Sequence, residues 1–333
     1  MEFNFSNIST GAPGKVEQVK VLVIGSGPAG LSAALYAARA DLNPVVLAGM
    51  ELGGQVSLTY TVENYPGFPD GVGGNELVEL FQKQAERFGA RVEFDTATEV
   101  NLSERPFRVK TYTGEYLADT LIVTTGATPI HLNIPGENKF TGRGVSYCAT
   151  CDGWFFKDKN VTVVGGGDSA LEEAIFLTRF AKSVTIVHRR DVLRGGVILQ
   201  NRAMENPKIK FEWNTVLTEI QGDEAVRSML MKDTVTGEER RQATDGVFIF
   251  IGHKPNTELF ERQLDIDEHG YLIVDNLMQT KIPGVFAAGE AADPNFRQVI
   301  TSAGMGAAAA MRDIHFIQEH AVDEPQAASL DAH

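Results

Sequence analysis

The sequence VLVIGSGPAGLSAA fills residues 21–34, and a related sequence, VTVVGGGDSALEEA, fills residues 161–174. Each copy is a run of apolar and β-branched residues, then a glycine turn, then a stretch rich in alanine and leucine. This order predicts a strand, a tight turn and a helix, which begin the βαβ unit that binds dinucleotides. Because the pattern occurs twice, it predicts an α/β fold with two Rossmann-like dinucleotide-binding domains.

The residues of each turn have separate physical roles. The first glycine makes the tight turn, the second lets backbone approach a pyrophosphate, and the small third residue lets helix pack on strand. The helix N-terminus then offers free N–H groups to the anion. A single glycine turn can also arise for packing reasons alone, but two equivalent copies favour nucleotide sites. The candidate residues are Gly25, Gly27, Pro28, Ala29 and Gly30 in the first copy, and Gly165, Gly167, Asp168, Ser169 and Ala170 in the second.

The two copies differ at the end of the second strand, where nucleotide sites distinguish one cofactor from another. An acid at this position binds a ribose 2′-hydroxyl, whereas an arginine accommodates a 2′-phosphate. The first copy lacks the acid, and Glu51 is the nearest candidate. The second copy offers potential cations at His188, Arg189, Arg190 and Arg194, which predict a site for NADPH because guanidinium groups bind phosphate well. An ordinary solvated basic stretch is the alternative.

The only two cysteines, Cys148 and Cys151, stand in the sequence CATCDG. A closely spaced thiol pair can cycle between dithiol and disulfide and so store two electrons. A structural zinc site would need a second pair of Cys or His ligands at matching spacing, which the sequence lacks. A static disulfide would close a very short loop and restrain the unfolded chain little. The pair therefore predicts redox chemistry and no metal site.

Length and charge narrow the classes of function. At 333 residues the chain exceeds the size at which one core usually keeps growing, so we expect two domains. The net charge of −14 argues against nucleic acid as a partner. No run approaches the roughly 18 apolar residues that span a bilayer, and residues 1–20 contain no apolar segment typical of a signal peptide. We expect a cytoplasmic protein without a membrane partner, with flexible ends at residues 1–20 and 322–333.

Further motifs accompany the turns and the cysteine pair: GGQV at residues 53–56, VENYPG at 62–67, GHKPNT at 252–257, and RQ at 297–298 followed by ITSAG at 300–304. In combination they resemble the bacterial low-molecular-weight thioredoxin reductases, which are FAD-dependent pyridine nucleotide-disulfide oxidoreductases, over roughly residues 20–319. The resemblance implies an FAD-binding domain made of residues 21–128 and 251–321. It implies that residues 129–250 form an inserted domain with the NADPH site and the redox dithiol.

The resemblance also implies roles for individual residues. Cys151 corresponds to the thiol that meets the flavin, Cys148 to the thiol that attacks thioredoxin, and Asp152 to the acid/base, although an aspartate there is also typical of a turn. The further FAD residues that it implies are Gly54, Gln55, Asn64, Gly126, Gly289, Glu290, Arg297 and Gln298. It implies thioredoxin docking at Arg143, Trp154 and Phe155 and a homodimer, although clustered aromatic residues also occur in cores.

Two departures from the family pattern bear on the cofactors. Glu290 stands where the family usually has an aspartate, which places its carboxylate one methylene farther out. Gly195 and Gly196 stand where the helix after the basic cluster should begin. Some relatives take electrons from ferredoxin, so a reductase independent of pyridine nucleotide is one alternative function. A flavin-binding redox sensor without turnover is another.

Overall fold

The computed structural model describes residues 15–59 and 61–321. The chain divides into two compact units, and the described part of unit 1 comprises residues 15–59, 61, 72–127 and 255–321. Unit 2 comprises Val62–Gly71 and Thr128–Lys254. The segment Val62–Gly71, which the sequence analysis assigned to the FAD-binding domain, therefore clusters with the inserted segment. The predicted tail at residues 322–333 lies outside the described residues.

The strands are β1 (Lys15–Ile24), β2 (Val45–Leu47), β3 (Arg91–Glu93), β4 (Ala97–Asn101), β5 (Phe107–Thr111), β6 (Gly114–Val123), β7 (Ala127–Pro129), β8 (Val145–Ser146), β9 (Asn160–Gly165), β10 (Ser183–Val187), β11 (Ile209–Glu212), β12 (Thr215–Gly222), β13 (Val226–Asp233), β14 (Glu239–Ala243), β15 (Gly246–Phe250), β16 (His253–Pro255) and β17 (Val285–Ala287). The α-helices are α1 (Pro28–Arg39), α2 (Gly74–Arg87), α3 (Glu137–Phe140), α4 (Ala149–Asp152), α5 (Asp168–Leu177), α6 (Val197–Met204) and α7 (Val299–Ala321). Short 3₁₀ helices span Gly54–Leu58, Gly153–Phe156, Glu258–Phe260 and Gly289–Ala291.

Unit 1 is built on a seven-stranded sheet with the order β3-β2-β1-β6-β5-β4, in which β17 also pairs with β6. Strands β1, β2, β3, β6 and β17 pair in parallel, whereas β4 and β5 are antiparallel. Along β1, Val21 and Val23 enter one hydrophobic cluster, and Leu22 and Ile24 enter another. The sheet is therefore covered on both faces, as its apolar strand sequence predicts.

The prediction of a flexible extension over residues 1–20 is wrong for residues 15–20, because β1 begins at Lys15. Lys15 pairs with Gly114, and Val19, which is buried, pairs with Ala118 of β6. Strands β1 and β6 have the same length, and their pairing continues past the apolar residues of β1 as far as Lys15. Residues 1–14 lie outside the described residues.

Unit 2 contains a five-stranded parallel sheet with the order β11-β10-β9-β15-β8 and a three-stranded antiparallel sheet of β12, β13 and β14. Leu171 and Ala174 of α5 pack on one face of the parallel sheet. Met229 and Met231 of β13 pack on its other face. The predicted α/β fold with parallel sheets is confirmed in both units. Strand β8, the edge strand, leads directly into the cysteine pair, so the sheet positions the dithiol.

Across residues 15–59 and 61–321 no helix has both the length and the apolar character needed to cross a membrane. In the same residues no group of three or more His, Cys, Asp or Glu side chains is arranged to hold a metal ion.

Asp313 is a fully buried acid inside unit 1, on α7. Among the described residues, neither of its carboxyl oxygens has a hydrogen-bond partner of ordinary geometry. The hydroxyl of Thr120 instead donates to the Lys20 carbonyl oxygen at 3.1 Å. Burial raises the pKa of Asp313 to about 7, while Thr120 and the charge of Arg105 oppose the shift. Asp313 is therefore largely protonated in the folded protein below neutral pH.

This buried acid should make the stability of unit 1 fall as the pH rises. Below about pH 4 the acid is protonated in both the folded and the unfolded chain, but from there to about pH 7 only the unfolded chain releases the proton. An Asp313→Asn variant keeps the shape without ionising. We expect the free energy of unfolding of this variant, relative to wild type, to increase by about 2–4 kcal/mol between pH 4.5 and 7.5.

Urea unfolding followed by circular dichroism at several pH values measures this difference. Glu104→Gln, which removes an exposed carboxylate from the same unit, is the matched control and should leave the pH dependence unchanged. Parallel pH profiles for wild type and Asp313→Asn would contradict the prediction.

Candidate active site

The first glycine turn lies between β1 and α1, at the carboxyl edge of the unit 1 sheet. Gly25 has a φ of +114°, and a Cβ there would lie 2.3 Å from the Thr124 carbonyl oxygen. A Cβ at Gly30 would lie 1.9 Å from the Gly25 oxygen. Helix α1 begins at Pro28 with Gly27 as its N-cap, and its first turn contains no acid. The first N–H groups of α1 are thus suited to an anion.

Ser26 is a residue of this turn that the sequence analysis missed. Its buried hydroxyl donates to the Ala48 carbonyl oxygen at 3.2 Å and accepts from the Gly53 N–H at 3.1 Å. These bonds connect the turn to the chain that follows β2 and to the 3₁₀ helix that contains Gly54 and Gln55. A small polar residue between two turn glycines is the sequence signal that could have indicated it.

A cavity of about 460 Å³ opens beyond the end of β2. Its lining includes Glu51, the acid nearest to the end of the second strand, together with Met50, Asn75 and Phe94. The cavity is large enough for part of a nucleotide. The carboxyl end of a parallel sheet is also where α/β folds bind such ligands.

Gly289 and Glu290 follow β17 and form the next part of the site. A Cβ at Gly289 would lie 2.9 Å from the Ala29 Cβ, so this turn packs against the start of α1. Burial raises the pKa of Glu290 to about 7, the charge of Arg297 opposes the shift, and Asp293 adds to it. The glutamate that replaces the usual aspartate therefore holds a proton more readily than an exposed acid.

Arg297 and Gln298 lie in the loop before α7. The Asp293 carboxylate accepts hydrogen bonds from the backbone N–H groups of Asn295, Phe296 and Arg297, at 2.8, 3.0 and 3.1 Å. Gln298 Nε2 donates to the carbonyl oxygens of Phe296 and Arg297 at 3.2 and 3.1 Å. Asp293, which sequence reasoning did not select, sets the shape of this loop.

The residues predicted to bind FAD belong to unit 1, with one exception. Gly126 lies between β6 and β7, has a φ of +69°, and accepts a hydrogen bond from the Asn256 N–H at 2.9 Å. Asn64 is the exception, because its segment Val62–Gly71 belongs to unit 2.

The second glycine turn, between β9 and α5, repeats the steric conditions of the first. Gly165 has a φ of +152°, and a Cβ there would lie 2.4 Å from the Phe250 carbonyl oxygen and 2.6 Å from the Ala170 Cβ. Gly167, the N-cap of α5, has no such conflict. The nearest atom to its position is a guanidinium nitrogen of Arg194, 4.0 Å from an added Cβ.

His188 has a different role from the one predicted. It is 6% exposed, its Nε2 lies 3.0 Å from the Val192 carbonyl oxygen, and an added Cβ at Gly166 would lie 2.3 Å from its Nδ1. Burial lowers the pKa of His188, and the charges of Arg194 and Arg189 lower it further. The expectation of a cation at this position is therefore wrong. His188 is a neutral side chain whose ring packs against Gly166 of the glycine turn.

The arginines of the basic cluster remain available for a phosphate. Arg189, Arg190 and Arg194 are exposed, and within the described residues none of them pairs with a carboxylate. Guanidinium groups in such a cluster can bind a phosphate with several hydrogen bonds.

The glycines before α6 have a structural explanation. An added Cβ at Gly195 would lie 3.2 Å from the Gly167 carbonyl carbon, so the chain packs directly on the turn. The Gly196 N–H donates to Asp168 Oδ1 at 2.6 Å. Asp168 and Ser169 are exposed at the start of α5. The two glycines therefore hold the turn and the start of α6 together.

Cys148 and Cys151 are joined by a disulfide, which confirms that the two cysteines pair with each other. Cys148 is the N-cap of α4, and its Sγ accepts a hydrogen bond from the Cys151 N–H at 3.2 Å. Both cysteines are partly exposed. The disulfide is thus accessible to an attacking thiolate.

Asp152 ends α4 beside the disulfide. Burial raises the pKa of its carboxyl, and the Ser146 side chain opposes the shift. Ser146 is the last residue of β8 and is buried. Asp152 is half-buried, and an acid that keeps its proton to a higher pH than usual suits proton exchange with a thiol.

Tyr147 anchors the chain just before Cys148. Its hydroxyl donates to Glu137 Oε1 at 2.7 Å and lies 2.7 Å from His131 Nδ1. Burial would raise the pKa of Glu137, but hydrogen bonds from Tyr147 and from the N–H groups of residues 132–134 lower it overall. This buried carboxylate is a feature that sequence reasoning missed.

The predicted docking residues are exposed on unit 2. Trp154 is 55% exposed and Phe155 is 42% exposed. Phe156 is instead buried, with its ring centroid 5.1 Å from that of Phe248. The Arg143 side chain is also exposed.

The chain is similar to known proteins along most of its length. It is 50% identical over 297 residues to a thioredoxin reductase of Streptomyces clavuligerus, and the alignment covers 87% of this chain and 91% of that protein. It is 47% identical over 304 residues to a bifunctional thioredoxin reductase/thioredoxin of Mycobacterium leprae, covering 91% of this chain and 66% of that protein.

Similarity extends to a solved structure. The crystal structure of thioredoxin reductase from Streptococcus pyogenes is 43% identical with a TM-score of 0.87, covering 91% of this chain and 99% of that one. The family model described as pyridine nucleotide-disulphide oxidoreductase matches residues 19–306. With two glycine turns and a disulfide beside an acid, the chain belongs to the pyridine nucleotide-disulphide oxidoreductase family.

Proposed function

We propose that this protein is a thioredoxin reductase that passes electrons from NADPH through FAD to the Cys148–Cys151 disulfide and on to thioredoxin. The observation that carries the proposal is the partly exposed disulfide with the half-buried acid Asp152 next to it. Two glycine turns of the dinucleotide-binding type, one in each unit, support two nucleotide cofactors.

Unit 1 fits FAD. The turn at residues 25–30 has space for a pyrophosphate because its glycines leave no side chain over the first N–H groups of α1. Gly289 packs against the same turn, and Glu290 and Arg297 add polar groups. The bound flavin supplies an acceptor and donor of two electrons.

Unit 2 fits NADPH. The turn at residues 165–170 again exposes the start of a helix, and Arg194 lies close to Gly167. Arg189 and Arg190 add positive charge for a 2′-phosphate. Neutral His188 keeps the turn in shape without adding charge.

The dithiol reduces its partner by thiol–disulfide exchange. The Cys148 thiolate attacks one sulfur of the thioredoxin disulfide, a mixed disulfide forms, and the other thioredoxin sulfur leaves as a thiolate and takes up a proton. Cys151, after losing its proton, then attacks Cys148 Sγ, which re-forms the internal disulfide and releases reduced thioredoxin. Asp152 accepts and returns the protons of these steps.

Thioredoxin would dock on the exposed aromatic residues beside the disulfide. Trp154 and Phe155 offer apolar surface, and Arg143 offers a charge. The relative that joins a thioredoxin reductase to a thioredoxin in one chain supports this partner. A homodimer and a cytoplasmic location are further parts of the proposal, taken from the resemblance.

The electron donor is tested by anaerobic stopped-flow mixing of the yellow protein with NADPH, NADH and reduced ferredoxin in parallel. We expect NADPH to bleach the flavin absorbance fastest, because the arginine cluster favours a 2′-phosphate. Bleaching by reduced ferredoxin and not by NADPH would contradict NADPH as the electron donor, but it would leave the proposed thioredoxin reductase activity standing. Absence of bound flavin would overturn the whole proposal.

Replacing either cysteine should stop thioredoxin reduction. In Cys148→Ser and Cys151→Ser we expect thioredoxin turnover to fall to the background rate, since one thiol alone cannot form the internal disulfide. Flavin content should not change, because the first glycine turn lies in unit 1. Reduction of ferricyanide by NADPH, which bypasses the dithiol, is the control and should persist. Retained thioredoxin turnover in either variant would refute the dithiol mechanism.

A methyl group at Gly166 should weaken NADPH binding. In Gly166→Ala the new Cβ would collide with the His188 ring and displace the turn, so we expect the KM for NADPH to rise about tenfold or more. Gly196→Ala is the matched control, because its Cβ would meet only Asp168 Oδ1 at 3.5 Å. Ferricyanide assays over a range of NADPH concentrations measure both. An unchanged KM in Gly166→Ala would show that the turn does not hold the nucleotide.

A further inference from the structure

Three successive N–H groups bind the chain before α6 to the second glycine turn. Those of Arg194 and Gly195 donate to the Gly166 carbonyl oxygen at 2.7 and 3.1 Å. The Gly196 N–H donates to Asp168 Oδ1 at 2.6 Å. The first two bonds use a main-chain acceptor, which a residue of any type supplies. Within this set of bonds, Asp168 alone contributes through its side chain.

The bond to Asp168 restrains the most flexible part of this segment. Gly195 and Gly196 are consecutive glycines, which have more backbone freedom than any other residue type. A charged acceptor makes the bond from the Gly196 N–H stronger than a bond to a neutral group. Gly196 is also the N-cap of α6 and brings no side chain to that helix start. The Asp168 carboxylate therefore fixes the chain that leaves Arg194 and the place where α6 begins.

This segment carries the Arg194 guanidinium to the glycine turn. One of its nitrogens lies 4.0 Å from the position that a Cβ of Gly167 would occupy, and Gly167 is the N-cap of α5. The Arg194 side chain is exposed, so the course of its main chain sets the space that the guanidinium can reach. A shift of residues 194–196 would move this charge away from the turn.

A carboxylate at the start of α5 is unfavourable for the binding of a pyrophosphate. Asp168 is the first residue of α5, where free N–H groups attract an anion. A negative charge at this place repels the same anion, and the first turn of α1, at the other glycine turn, has no acid. The hydrogen bond to Gly196 gives the carboxylate a function that offsets this repulsion.

We propose that Asp168 is a positioning residue that selects the phosphorylated nucleotide by holding Arg194 in place. The inference rests on the proposed NADPH site and adds to it the residue that keeps the arginine at the turn. Asp168 acts through Arg194, whose charge favours a ligand with a 2′-phosphate. Because NADP⁺ and NAD⁺ differ only by this phosphate, the contribution of Asp168 should be found in the preference for NADP⁺ over NAD⁺.

Isothermal titration calorimetry of the oxidised flavoprotein with NADP⁺ and with NAD⁺ tests the inference without turnover. In Asp168→Ala we expect the preference for NADP⁺ to fall about three- to tenfold, because residues 194–196 lose their charged acceptor. Asp168→Asn keeps an oxygen that accepts from the Gly196 N–H and should retain at least the wild-type preference. Glu172→Ala, which removes an exposed acid one turn farther along α5, is the matched control and should leave the preference unchanged.

A double-mutant cycle with Gly196→Pro tests the hydrogen bond itself. Gly196 has a φ of −59°, which proline also adopts, so this variant removes the N–H donor and keeps the backbone conformation. We expect Gly196→Pro to lower the preference for NADP⁺ as Asp168→Ala does, and the two changes together to lower it no further. Gly196→Ala keeps the N–H and should not lower it.

The outcomes separate this inference from the proposed cofactor. A preference for NADP⁺ that persists or rises in Asp168→Ala would show that Asp168 acts only as a repelling charge, and would overturn the inference while leaving NADPH as the donor. An equal fall in Asp168→Ala and Asp168→Asn, or additive losses in the double variant, would also overturn it. Wild-type protein without a preference for NADP⁺ would contradict the proposed NADPH site itself.

Discussion

At each glycine turn, main chain meets main chain with no space for a side chain, and the rest of both units depends on this contact. An added Cβ at Gly25 would lie 2.3 Å from the Thr124 carbonyl oxygen, and one at Gly165 would lie 2.4 Å from that of Phe250. In both cases the obstructing atom belongs to the chain at the end of the neighbouring parallel strand. Because no change of rotamer can move a carbonyl oxygen, only glycine is tolerated at these positions.

This close contact determines where the chemistry is located. It brings the start of α1 and of α5 to the carboxyl edge of a parallel sheet, where helix N–H groups attract anions. The two turns then differ in detail. The first turn of α1 has no acid, whereas α5 begins with Asp168, whose carboxylate is bound to the Gly196 N–H. In unit 2 the same sheet also supports β8, and through it the disulfide.

Residues that act within a short stretch of chain could be predicted from the sequence. The turn glycines and the cysteine pair are of this kind, since their patterns depend on spacing along the backbone, whereas the role of Asp152 was implied by the family resemblance. His188 was misjudged because its charge depends on burial beneath Gly166, which comes from a different βα turn. The start of β1 at Lys15 was missed because its partner strand begins almost a hundred residues later, at Gly114. Ser26 and Asp313 were missed because burial, not residue type, gives them their roles.

The sequence by itself determined the α/β class, the two dinucleotide turns and the redox pair, because glycine conformation and cysteine spacing are local properties of the chain. Only the tertiary structure decided which polar groups lose their contact with water. Burial keeps His188 neutral and raises the pKa of Asp152, Glu290 and Asp313. The physical reason is that desolvation depends on every element packed around a group, and those elements come from distant parts of the chain.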